Sequence, residues 1–282
     1  MDYHAETIAT GFAYPEGPRW HGGSLWFSDQ HGGKVHVLHP DGVQREEFTV
    51  PGRPSGLGWL PDGDLLVVSM QEHRLYRRRG GTLSVYADLA GVHPYDSNEM
   101  VVDDAGRAYV GNIGFDFEAG ASPAPTRMAI VHPNGQVAVA ADDLACPNGI
   151  VISPDGRTLI VAESMAYRLT AFDRDKIGRL SNRRVFAELG DQMPDGICLD
   201  ADGCVWVASC YAGVVLRVRE DGEVIDRVPV RDANPYACIL GGEDRRTLFI
   251  CAATHHEPHL TVKARKGRID AVRVAVAGAG RP

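Results

Sequence analysis

A six-bladed β-propeller is the fold this sequence predicts, on three observations. One unit recurs six times, each copy alternates short apolar runs with Asp-Gly or Asn-Gly turns, and no stretch holds a helical apolar period over three turns. The unit is clearest at 147–162, PNGIVISPDGRTLIVA. Its relatives open at Pro15-Glu16-Gly17, Pro54-Ser55-Gly56, Ser97-Asn98-Glu99, Pro194-Asp195-Gly196 and Pro235-Tyr236-Ala237. Their average separation of about 44 residues is that of propeller blades.

Within a unit the opening leads into a short alternating strand. A Gly turn follows (Pro61-Asp62-Gly63, Asp104-Ala105-Gly106, Pro154-Asp155-Gly156, Ala201-Asp202-Gly203), supplying the positive φ that a tight hairpin needs. The second strand is more apolar, as in Leu65-Leu66-Val67-Val68 and Val205-Trp206-Val207, and suits burial on both faces of a stacked sheet. A third strand runs to another turn, such as Pro40-Asp41-Gly42 or Pro133-Asn134-Gly135, and a weaker outer strand leads to the next unit. In the sixth unit the third strand is expected near residues 269–274. Its outer strand is expected from the N-terminal segment, around residues 6–9, which closes the ring and removes the open edge. Residues 1–282 are read as one domain.

With 282 residues, 44% apolar and 23% charged, the chain can bury a full core. A formal net charge of −8, with no basic run beyond Arg77-Arg78-Arg79, argues against nucleic acid or an anionic membrane as partner. A small-molecule substrate is expected instead. Residues 1–12 lack a basic segment followed by an apolar one, and no run nears the ~18 apolar residues of a membrane span, so a cytoplasmic protein is expected. The six cysteines show no CxxC spacing and mostly sit in apolar runs, so they read as buried thiols.

In a propeller the first strand of each blade is innermost, so the residue just before it faces the mouth of the central channel. The six equivalent positions are Glu16, Ser55, Asn98, Asn148, Asp195 and Tyr236. Four are carboxylates or carboxamides aimed at one axis, and two buried carboxylates there need a counter-charge. One divalent cation among Glu16, Asn98, Asn148 and Asp195 removes the conflict. Oxygen-only donors of irregular spacing put calcium first, with zinc, magnesium or manganese as substitutes.

These openings, PEGPRW at 15–20 above all, resemble the gluconolactonase and regucalcin (senescence marker protein) family over about residues 11–274. The resemblance implies a six-bladed propeller, one metal on Glu16, Asn148 and Asp195, and Asn98 as a substrate or water contact. It also implies Asp195 as general base as well as ligand, with attack by a cation-activated water as the competing route. Sugar-lactone hydrolases of the family carry arginine two residues before that asparagine, where this chain has Asp96. Blade six carries an unusual Thr254-His255-His256-Glu257-Pro258-His259 segment.

The expected activity is metal-dependent opening of a lactone by water attack at a polarised carbonyl. No GxSxG, HExxH, GxGxxG or Walker pattern offers other machinery. The alternatives are a phosphotriester hydrolase resembling diisopropyl fluorophosphatase and a non-enzymatic calcium-binding propeller. The strand order puts the loops between second and third strands on the metal's face: Asp29, Gln30 and His31; Gln71, Glu72 and His73; residues 112–126 with Phe115 and Phe117; residues 164–167; Tyr211; and residues 255–259. Asn98 of the axial set, with Asn112, His31, Tyr211 and His255 from these loops, are the substrate-contact candidates.

Overall fold

The computed structural model describes residues 3–281. Six four-stranded antiparallel sheets form the blades, and five of them use four strands in chain order. Blade four is typical, with strands Pro147–Ile152, Thr158–Glu163, Arg168–Arg174 and Leu180–Glu188 from axis to rim. The sixth sheet takes Asn234–Gly241, Thr247–Ala253 and Gly267–Arg273 from the end of the chain, and its outer strand is Glu6–Phe12. Glu6 pairs with Ala271 and Phe12 with Gly267, so the N-terminal segment closes the ring as expected, over a longer stretch. Edge-on contact of Phe12 with Phe27 at 4.8 Å and stacking of Trp20 on Phe249 at 5.5 Å hold that seam.

The core is divided among the blade interfaces. Leu57, Leu66, Val110, Val161, Val207 and Ile250 are all buried, and every pair of neighbouring sheets shares an apolar cluster. Second strands such as Leu65–Ser69 are buried at every residue because both faces meet another sheet. The Asp-Gly turns adopt the positive φ their sequence required, for example 89° at Gly63 and 71° at Gly156. Helix among the described residues is confined to Pro258–Ala264 and the single turn Ser164–Ala166, and no helix is long and apolar enough to cross a membrane.

The inner strands carry the feature that builds the site. The six axial residues lie within these strands, not just before them, and each inner strand breaks register beside its axial residue: between Glu16 and Arg19, Pro147 and Ile150, Pro194 and Ile197, and likewise in the other blades. Such bulges re-aim a side chain out of the sheet. Here they turn it toward the channel. The glycine after the axial residue has a steric cause: a Cβ on Gly149 would lie 2.6 Å from Asp195 O and Ile197 N, and one on Gly196 would lie 2.5 Å from Ala237 Cβ.

A C-terminal strap on the opposite face was not expected from the repeat. Ile152 and Arg281 exchange backbone hydrogen bonds of 2.8 and 3.0 Å, and Ala279 N–H donates to Leu199 O at 2.9 Å. Ile152 and Leu199 end the inner strands of blades four and five, so this segment crosses the channel's far end.

Gly149→Ala should lower unfolding free energy by about 2 kcal/mol or more, because backbone atoms of blade five cannot retreat from the new methyl. Gly91→Ala, where no atom lies within 4 Å, should stay within about 0.5 kcal/mol of the parent. Urea midpoints at constant slope compare the two.

Candidate functional site

A cavity of about 480 Å³ opens at the end of the channel where the inner strands begin. Glu16, Asn98, Asn148, Asp195 and Tyr236 line it, whereas Ser55 lies just behind, fully buried. Glu16, Asn98, Asn148 and Asp195 are each less than 10% exposed. Side chains from blades one, three, four, five and six thus line one cavity at the channel mouth.

The two asparagines are oriented differently. Asn148 Nδ2 donates to Ser164 Oγ at 3.3 Å, and Ser164 Oγ donates in turn to Pro194 O at 2.7 Å, tying blade four to blade five. Among the described residues no hydrogen bond claims the Asn148 oxygen, so it is the free acceptor of that carboxamide. At Asn98 the oxygen is taken: Ser55 Oγ donates to it at 3.2 Å, leaving the NH2 group as the free donor. Asn148 therefore presents a free acceptor oxygen and Asn98 a free NH2 donor.

The carboxylates carry the electrostatic strain. Burial pushes Glu16 well above the usual carboxylate range, and Asp195 and Glu99 add to it by repulsion. Burial likewise pushes Asp195 up to about 8, with Glu99 adding to the rise and hydrogen bonds from Asn148 and Cys210 opposing it. The nearby buried guanidinium of Arg19 offsets the Glu16 charge only in part, because it is committed to Glu99 at 2.6 Å and to the carbonyls of Leu57, Pro18 and Met100. Cys146 and Cys210 also line the cavity, which the sequence did not reveal. Burial raises both thiols, Cys146 to about 12, so they remain protonated near neutral pH and are poor ligands. Among the described residues no three His, Cys, Asp or Glu side chains are arranged to hold a metal, so a cation here must rely on the carboxamide oxygen beside the two carboxylates. Two buried carboxylates, a free amide oxygen and no spare cation fit a hard divalent ion.

The rim partly follows expectation. Gln30, His31, Gln71, Phe115, Phe117, Ser164, Tyr211 and His256 to His259 all reach the cavity from loops between second and third strands. His31 stacks on Tyr14 at 4.5 Å and shares a 2.7 Å hydrogen bond with Thr261 Oγ1. Burial, with Arg53 and His256 nearby, lowers its pKa to about 3, so it stays neutral. Two rim expectations need correction. Asn112 is fully buried behind the wall, where it accepts from Thr126 Oγ1 at 2.8 Å and donates to Arg127 O at 2.5 Å to brace the base of the blade-three loop. His255 is exposed and off the cavity wall; the chain turns there toward helix Pro258–Ala264, and His256 is the side chain brought inward. The sequence reading also missed Tyr14, Arg53 and Tyr95, which come from the connections between blades, and Met193, the first residue of the blade-five inner strand. Strand counting contains that signal, since a fourth strand ends on the face where the next first strand begins.

All-β propellers with oxygen donors from several blades gathered at one channel mouth form the class to which this geometry assigns the protein. The chain belongs to the SMP-30/Gluconolactonase/LRE-like family, whose model matches residues 14–254. A 6-deoxy-6-sulfogluconolactonase of Pseudomonas putida is 26% identical over 264 residues, covering 92% of this chain and 89% of that protein. Regucalcin of Danio rerio is 32% identical over 160 residues; the match covers 55% of this chain and 54% of that protein, about half its length. In fold the chain is similar to the crystal structure of a calcium-binding regucalcin from Agrobacterium tumefaciens, with a TM-score of 0.85 at 24% identity over 100% of this chain and 97% of that one.

Two outcomes follow for a chelated and a calcium-loaded sample. The folded chain holds the Asp195 proton more tightly than an unfolded chain with a carboxyl near 3.8, so without cation stability should fall as pH rises from about 4 through about 8. Calcium should raise the melting temperature more at pH 8 than at pH 5, as read by calorimetry. Ser164→Ala, which frees the Asn148 amide, should weaken calcium binding by roughly tenfold or more in titration calorimetry.

Proposed function

We propose that this protein is a metal-dependent hydrolase that opens a lactone by water attack on its carbonyl. The observation that carries the reading is the burial of Glu16 and Asp195 together, beside the unclaimed oxygen of Asn148, at the floor of a 480 Å³ cavity. Family membership and the lactonase relative support the same chemistry. Glu16, Asn148 and Asp195 would hold the cation, with calcium first among candidates. When bound, such an ion supplies charge that polarises a carbonyl and acidifies water.

The remaining work falls to the chain's own side chains. Asp195 is the base that takes the proton of the attacking water at its carboxylate oxygen. Asn98 offers its NH2 group to a ring or carbonyl oxygen of the substrate, held in that sense by Ser55. The acyl–oxygen bond breaks, and the proton on Asp195 is placed to return to the departing alkoxide. No covalent intermediate is required, in keeping with the protonated state of Cys146 and Cys210. A non-enzymatic calcium store would have no use for a cavity of this size above its ligands, and that weighs against it.

Asp195→Asn should reduce lactone turnover by about 10²-fold to 10⁴-fold while the melting temperature of the chelated protein holds or rises. The assay is a pH-stat measurement on a lactone panel, with calcium and with chelator. Turnover by the calcium-loaded variant at the parent rate would remove Asp195 from the mechanism, and activity indifferent to chelator would remove the cation.

A further inference from the structure

The cavity above the candidate ligands has an aromatic wall that the hydrolytic chemistry does not use. Phe115 meets Phe117 at 6.1 Å between ring centres, and Phe117 meets His256 at 5.9 Å. His256 meets Tyr211 at 5.3 Å, Tyr211 meets Tyr236 at 6.5 Å, and Tyr236 meets Tyr14 at 4.6 Å. Blades three and six are opposite each other in a ring of six, so the Phe117–His256 contact bridges the mouth. Two rings of this series remain exposed while facing the cavity, Phe117 at 40% and Tyr211 at 48%. Exposed aromatic surface at the mouth of a concave site favours a guest that covers it.

Charge narrows the guest further. Six carboxylates line the cavity: Glu16 and Asp195 at the floor, with Asp96, Asp116, Glu118 and Glu257 above. Arg53 is the only Lys or Arg among its described lining residues, and it is paired with Glu118. One divalent cation offsets two of those negative charges and leaves the wall acidic. An anionic substrate would meet net repulsion at the entrance.

We propose that the substrate is an uncharged lactone with a planar apolar body, held between Phe117 of the blade-three loop and Tyr211 of blade five while its ester carbonyl faces Asp195. The proposal rests on the lactonase reading for the reacting group, and on the ring series and the acidic wall for the rest of the molecule. Phe117 and Tyr211 are then specificity-determining residues.

The test uses the calcium-loaded full chain and four probes: 3,4-dihydrocoumarin, a carboxylated dihydrocoumarin, D-glucono-1,5-lactone, and coumarin as a lactone that stays closed at neutral pH. The kcat/KM for dihydrocoumarin should exceed that for the carboxylated analogue and for gluconolactone by about tenfold or more each. Phe117→Ala and Tyr211→Ala should each lower the dihydrocoumarin-to-gluconolactone ratio by about tenfold, chiefly through KM, and weaken coumarin binding in calorimetry to the same degree. Phe117→Tyr should restore both, and melting temperatures confirm that the variants fold. Gluconolactone or the carboxylated lactone as the better substrate, with no coumarin bound, overturns this proposal and leaves the lactonase reading standing. Coumarin bound in a Phe117-dependent way, with no lactone opened, upholds the aromatic site and overturns the lactonase reading.

Discussion

Six inner strands reach one axis only if their backbones touch there, and that contact sets the terms for the rest of the molecule. At Gly149 and Gly196 there is no room for a Cβ because the next blade's backbone or methyl occupies its place. Bulges beside these glycines turn the preceding side chain inward, so whatever residue stands there is largely buried near its counterparts from other blades. The placement of two carboxylates and two carboxamides at such positions is a charge problem before it is a chemical asset. Desolvation, with repulsion from Glu99 at both and from Asp195 at Glu16, holds the two carboxyls toward their protonated forms.

The neighbouring groups keep that problem unsolved within the chain. Arg19 is buried close by, yet Glu99 and three carbonyls consume its donors, and Glu99 itself adds to the repulsion felt at Glu16. Ser164 and Ser55 fix the two asparagines in opposite senses, one presenting oxygen and the other presenting NH2. This division gives two similar-looking carboxamides opposite free groups, an acceptor at Asn148 and a donor at Asn98. The scaffold that holds them is rigid because every blade interface is packed with apolar side chains and the strand Glu6–Phe12 closes the ring.

Above this floor the walls come from two kinds of segment, the loops between second and third strands and the connections from blade to blade. The first kind was readable by counting strands, and it brings Phe117, Tyr211 and His256 to the cavity. The second kind adds Tyr14, Arg53 and Tyr95, whose place follows from the same count carried one strand further. The long blade-three loop reaches across to blade six through Phe117 and His256, and it is anchored by the Arg53–Glu118 pair and by Asn112 at its base. Asn112 illustrates how a polar residue at a promising position becomes structural: its amide is spent closing a loop, so none of it is left for a ligand.

The periodic openings in the sequence determined the fold, the closing strand and the identity of the axial residues. These depend on a repeat whose register can be counted, and a channel position recurs wherever the repeat does. The folded chain alone decided what those residues can do. Burial, the orientation of each carboxamide, the thiols beside Asp195 and the strap of residues 277–281 under the channel all arise from contacts between residues far apart in the chain. The choice of His256 over His255 is of the same kind: both neighbours look alike in a string of letters, and only the direction of the backbone entering helix Pro258–Ala264 sends one inward and leaves the other in solvent.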